Sequence, residues 1–264
     1  MSELDTREWL LTNGLGSFAS GTVCDIRTRT YHGWLFVAKN PPTDRTLLLS
    51  HIEASLELPE KVVPLGTNFW GNGQIDPSGY KLLRSFDINP VPKWTWGEDN
   101  WQLTRLLVMP YGKGAEGEVL SQTPSSLSHS FLSHRFFIQY RYEGRDVAIL
   151  RLRMFIADRN FHASQKASPE LQFSQMLGQQ QVCLQAIISG SFATPWHLRW
   201  TQGDYKPEAF WYWNYILPEE KQRGLGDHED LYSPGYLTVT LQPGDAVTLE
   251  ARTGFPNELG NPLT

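Results

Sequence analysis

From His51 to Leu58 apolar and polar residues alternate without a break. Ile52, Ala54, Leu56 and Leu58 fall on one side, and His51, Glu53, Ser55 and Glu57 on the other. A period of two marks a half-buried strand. Val147–Ala157 repeats the pattern, with Leu150, Leu152, Met154 and Ile156 on one face and Ile149, Arg151, Arg153 and Phe155 on the other. Further strands are expected at Phe18–Val23, Gly33–Ala38, Arg45–Glu57, Lys81–Phe86, Trp101–Met109, His134–Tyr142, Leu171–Met176, Val182–Ile188, His197–Gln202 and Glu208–Tyr215. Tyr236–Leu241 and Ala246–Arg252 flank Gln242-Pro-Gly-Asp245, which reads as the tight turn of a hairpin. The one helical signal is short: Pro218–Arg223 has a first-turn proline, acids at its start, a base at its end and Gly224 after it. Many short strands separated by turn residues imply an all-β fold, an antiparallel sandwich or barrel. Gly112–Ser130 reads as a long loop, and the pattern lapses over Phe255–Thr264.

The totals narrow the function classes. At 264 residues the chain is long enough for one large all-β domain with a real core. A net charge of -5 argues against nucleic acid and anionic membranes as partners. The two cysteines, Cys24 and Cys183, read as free thiols of a reducing cytosol, and the acidic start is no signal peptide, so a cytoplasmic location is expected. Ten Trp, ten Tyr and thirteen Phe suit β-sheet packing first, with sugar stacking as the second reading.

Gly14-Leu-Gly-Ser-Phe-Ala19 fits a dinucleotide fingerprint in letters only, because strand-forming residues follow where a helix is required. The glycines are better read as a tight turn at a strand end. No histidine stands at a metal-ligand spacing, and His129 with His134 is a weak pair, so neither metal nor cofactor is expected. Asp25, Glu53, Glu229 and Asp230 are the acids from which a glycosidase pair would be drawn. Three clusters join Arg, His, aromatics and acids: Arg27–Gly33, Arg159–His162 and Arg223–Asp230. They suit two readings, hydrogen bonding to sugar hydroxyls, or a buried network that pins loops to the sandwich.

These clusters carry a resemblance. Glu8–Val23, with Trp9 and Asn13-Gly-Leu-Gly-Ser-Phe-Ala-Ser-Gly-Thr22, followed by Thr28-Arg-Thr-Tyr-His-Gly33, resembles the opening of bacterial and archaeal glycogen debranching enzymes. Pro41–Arg45, Leu47–Glu53, Ala157–His162, Arg223–Asp230 and Ser233–Tyr236 continue it in order. Ser17 and Asp25 stand where that family usually has glycine, and Trp34 where it has an aliphatic residue. Asp25 matters if its position needs a positive φ.

The resemblance implies an amylo-α-1,6-glucosidase whose amino-terminal domain is a supersandwich-type β-sandwich, as in glucoamylase-like glycosidases. That domain precedes an (α/α)6 barrel carrying the acid and base of an inverting hydrolysis. Residues 1–254 would then be the sandwich and 255–264 a tail or the start of a linker, with no catalytic residue in this chain. The implied partners are the barrel, an α-glucan, and a second copy meeting through the barrel-facing surface. By the same resemblance Asn13, Arg29, Tyr31, His32, Arg159, His162, Arg223, Glu229 and Asp230 would form a substrate rim or domain interface. An independent α-glucan-binding module and a self-sufficient glycosidase using Glu229 are the alternatives.

Overall fold

The computed structural model describes residues 4–40, 43–111 and 134–254. Strands dominate. The first sheet holds β1 (Glu8–Thr12), β2 (Phe18–Thr22), β3 (Gly33–Asn40), β4 (Asp44–Leu58), β5 (Lys61–Pro64), β12 (Ala148–Asn160), β17 (Asp204–Ile216) and β18 (His228–Leu241). The second holds β8 (Leu83–Asp87), β9 (Lys93–Glu98), β10 (Trp101–Val108), β11 (Arg135–Gly144), β13 (Leu171–Gly178), β14 (Gln181–Ile188), β15 (Ser191–Phe192), β16 (Trp196–Trp200) and β19 (Ala246–Thr253). A separate hairpin joins β6 (Thr67–Phe69) to β7 (Ile75–Ser78). The first sheet runs β1-β2-β3-β4-β12-β18-β17, and the second β13-β14-β16-β19-β11-β10-β9-β8. All pairs are antiparallel, so the all-β sandwich is the fold.

The alternation read from sequence is what builds the core. Ile52, Ala54 and Leu56 of β4 meet Leu150, Leu152 and Met154 of β12, and Leu237 and Val239 of β18 join them. Against this layer the second sheet packs Leu103 and Leu107 of β10, Ile138 and Tyr140 of β11, and Leu249 and Ala251 of β19. Each fully buried aliphatic side chain contributes about 1.5–3 kcal/mol. Among the described residues no helix is long and apolar enough to cross a membrane.

The structure corrects two local expectations. Gln242–Asp245 does form a turn, with Asp245 N donating to Gln242 O. The flanking strands do not pair: β18 belongs to the first sheet and β19 to the second, so the turn crosses between layers. Its remaining backbone groups bond Tyr142 of β11, and Gly244 takes φ +92°. Local alternation fixes which face is buried but not which sheet a strand enters. Gly79–Leu82 is a 3₁₀ turn, so the strand expected from Lys81 begins at Leu83. The helix α1 (Pro218–Gln222) forms where its capping signals placed it. The expected loop Gly112–Ser130 and the tail 255–264 lie outside the described residues. Both cysteines are free, Cys24 buried and Cys183 partly so.

Candidate functional site

The outer face of the first sheet, the one turned away from the sandwich core, is not a plain solvated face. Phe155 and Ala157 of β12, Phe36, Leu47, Leu231 and Tyr215 form a second apolar cluster there. Three segments cover it: residues 27–32 with α1, residues 161–167, and the β6–β7 hairpin. Buried charge holds this layer down. Glu229, on β18 and fully buried, accepts from Arg27 Nη1 and from Arg159 Nε. Arg159 Nη2 donates onward to Thr30 O at 2.9 Å. Glu220 of α1 accepts from Thr30 N at 3.0 Å, and Glu219 N donates to Thr28 O at 3.1 Å. Burial pushes the Glu229 carboxyl up, but the Arg159 and Arg27 guanidinia outweigh it and hold the group at about 2.

Asp230 does the same for the neighbouring segment. Its Oδ2 accepts from Ala167 N at 3.0 Å and its Oδ1 from Asn214 N at 2.9 Å. Gln165 N donates to Glu229 at 3.2 Å, and Gln165 Nε2 to Asp230 O at 3.1 Å.

The sequence-derived residues therefore divide. Arg159, Glu229 and Asp230 come together inside the layer, buried and engaged. His32 is 2% exposed; its Nδ1 accepts from Thr28 N at 3.0 Å, so its proton sits on Nε2, which faces Glu8 Oε1 at 3.2 Å. Burial is the main reason its imidazole titrates at about 4 and stays neutral. Arg29 bridges Glu8 and Glu219 at the surface. The Tyr31 hydroxyl lies 2.8 Å from His162 Nδ1, with Phe161 beside the ring pair. Arg223 is half exposed, 3.7 Å from Glu220. Asn13 is apart from the rest: its Oδ1 accepts from Leu15 N and Ser17 N and closes the turn in which Gly14 and Gly16 take φ +74° and +93°. That turn is the structural role read for the glycine motif.

Sequence reasoning missed Gln165, Glu220, Trp70 and Asn214, and it held His228 only as a member of the Arg223–Asp230 cluster. Trp70, Gly71 and Asn72 make the tip that joins β6 to β7, and Gly71 N donates to Asn214 O at 2.9 Å. The glycines at 71 and 73 signal a turn; that it folds back onto β17 is a tertiary fact.

Two of the three departures from the family pattern, Asp25 and Trp34, converge. Asp25 takes φ +66°, the conformation that made glycine usual there. Its carboxylate accepts two hydrogen bonds from Arg105, both at 2.7 Å. Arg105 is 1% exposed and lies over Trp34, Trp94 and Trp96 at 4.6, 4.2 and 4.9 Å. The aspartate and the extra tryptophan thus serve one buried cation.

Of the acids read as a glycosidase pair, Asp25, Glu229 and Asp230 are consumed by these contacts, and Glu53 accepts from Asn68 Nδ2. A carboxylate locked between guanidinia and ionised at neutral pH holds no proton to give a leaving group. Among the described residues no group of three or more His, Cys, Asp or Glu is placed to hold a metal.

Asp158, beside Arg159, carries the opposite perturbation. Burial pushes its carboxyl up to about 6, with Lys39 offsetting only part. The sign follows: the charge becomes a penalty as pH rises through about 6 and is harmless below about 4. Asp158→Asn is expected to raise the thermal midpoint at neutral pH, with the gain gone near pH 4; a midpoint series in pH checks it.

The fold and the site define an all-β sandwich whose outer sheet face carries a charge-stapled loop layer. The family model for the glycogen debranching enzyme N-terminal domain matches residues 7–248, and the chain belongs to that family. Comparison with curated proteins gives no match.

Proposed function

We propose that this domain is the accessory part of a debranching enzyme that removes α-1,6-linked glucose from glycogen or a related α-glucan. It packs on an (α/α)6 catalytic domain, lends hydrogen-bonding groups to the rim of that domain's active site, and cleaves nothing alone. One observation carries the reading. The layer on the outer face is fixed by the buried Arg27–Glu229–Arg159 network, while Arg29, Tyr31, His162 and Arg223 stay accessible at its surface. A rigid base with accessible polar groups suits positioning of a partner or a sugar, because preorganisation lowers the entropy cost of binding.

The same network argues against a self-sufficient glycosidase. Inverting hydrolysis needs one carboxylic acid and one carboxylate about 6.5–9.5 Å apart on either side of the sugar. Glu229, fully buried between two arginines, reaches neither role.

The test is glucose release from a branched limit dextrin. The purified 264-residue chain is expected to release none. Release by the chain alone would overturn the proposal, and its loss in Glu208→Gln or Glu57→Gln would then identify an acid outside the buried network.

A further inference from the structure

We propose that the cleft between the β6–β7 tip and the end of β17 is a binding site for one glucosyl unit of an α-glucan. The cleft has a volume of about 460 Å³ and is lined by Trp70, Gly71, Asn72, Asn214 and His228. That lies within the ~300–1,000 Å³ typical of small-ligand sites. None of these residues belongs to the rim read from sequence.

Each lining group is held by something else, leaving its recognition atoms free. Trp70 is fixed at both ends: Nε1 donates to Asp76 O, and the indole packs on the buried Tyr215 ring at 4.5 Å. The remainder of the indole forms a preorganised apolar wall, suited to the C–H face of a pyranose. His228 lies 2.7 Å from Asp227 Oδ1 through Nδ1, which places the hydrogen of a neutral imidazole on Nδ1 and leaves Nε2 as its acceptor. A side chain at Gly71 would come within 3.3 Å of that Nε2 and narrow the cleft.

Asn214 supplies the third element. It is a non-glycine residue at φ +64°, on a strand, with an exposed side chain. Its backbone is clamped from both directions, N–H by Asp230 Oδ1 and C=O by Gly71 N–H. Among the described residues nothing hydrogen-bonds its amide side chain. A left-handed conformation imposed on a non-glycine residue costs free energy and is retained where the surroundings over-determine it. Here the constraint aims a carboxamide beside an imidazole acceptor and an aromatic wall. A donor and an acceptor next to an apolar plane match a vicinal diol on a pyranose ring: one hydroxyl donates to His228 Nε2 while its neighbour accepts from Asn214 Nδ2. Asp230 acts through Asn214, as a positioning residue.

The choice of an α-linked glucose rests on the function proposed above; the cleft's fit to a sugar does not. The test follows the Trp70 indole N–H resonance of the isotope-labelled chain during titration with maltotriose, and with cellobiose as the β-linked control. A saturable shift with a Kd of about a millimolar is expected for maltotriose. Asn214→Gly is the informative variant, because glycine suits φ +64° and the clamped backbone is kept. It is expected to hold or raise the thermal midpoint while weakening maltotriose about tenfold, the worth of one hydrogen bond. In Trp70→Ala, followed through the Asn214 side-chain amide resonance, no saturable shift with maltotriose is expected. No shift with either sugar, or unchanged affinity in Asn214→Gly, overturns the site. Equal response to cellobiose overturns the α-glucan assignment and leaves a sugar site. Glucose release by the chain alone would overturn the accessory reading without touching the cleft, so the two failures are distinguishable.

Discussion

Glu229→Gln is expected to cost about 3–5 kcal/mol, the usual loss when a buried ion pair is broken by removing one partner. The magnitude is set by what remains. Arg27 and Arg159 are buried on either side of a single carboxylate, and among the described residues Arg27 Nη2 already lacks a hydrogen-bond partner. A neutral amide leaves two guanidinia in a low-dielectric layer with no anion between them. Against a total of about 5–15 kcal/mol for a domain, that is a large fraction. Chemical denaturation at neutral pH measures it.

The pH dependence has a defined sign. The Glu229 carboxyl sits at about 2 when folded and near the ordinary glutamate value when unfolded. Its stabilisation is therefore complete above about pH 4.5 and lost as pH falls toward about 2. The deficit of Glu229→Gln should shrink over that interval. His32 adds an earlier acid limb. Its folded value of about 4 lies below the ordinary 6.5, so its contribution is complete above about 6.5 and lost as pH falls through about 4. Burial lowers His51, His134 and His197 in the same direction. A deficit that stays constant from neutral pH down to about 2.5 would show that Glu229 is not the ionised centre of the network.

Asp25→Gly is expected to destabilise by about 3–5 kcal/mol although it installs the residue that φ +66° prefers. Relief of the left-handed conformation is worth about 1 kcal/mol. The loss is the bidentate partner of Arg105, a cation 1% exposed among three indoles. Arg105→Met alone leaves Asp25 near the surface, 13% exposed in its side chain, and is expected to cost less. In the double variant Asp25→Gly, Arg105→Met the tryptophan cage closes on a neutral side chain, and much of the deficit should be recovered. A double-mutant cycle by thermal or urea unfolding reads the coupling; additive effects would show that the pair is not coupled.

How far the fold was legible depended on the range of each signal. Strand alternation at His51–Leu58 and Ala148–Ala157 identified the core faces because side-chain direction in a strand has a fixed period of two. The turn at Gln242–Asp245 was legible as a turn and misread as a hairpin, because the partner of each flanking strand is chosen by packing across the sandwich. Trp94 and Trp96 on β9 were obscured by the prolines that precede them, although Trp94 is fully buried.

The candidate site was legible in its residue types more than in its geometry. Arg159, Glu229 and Asp230 were singled out, and the network joins them. That Glu229 reaches Arg27 across 202 residues, and that Asp230 clamps Asn214, no local spacing encodes. The feature that most constrained the chain, period-two alternation with almost no helical signal, by itself determined an all-β fold, a sandwich or a barrel, because burying one face of each strand requires a second sheet or closure of the first. The family followed from short motifs in order. Only the tertiary structure decided which polar groups are spent inside and which face outward. That depends on desolvation and on partners brought together from distant strands, and neither is a property of a local stretch of chain.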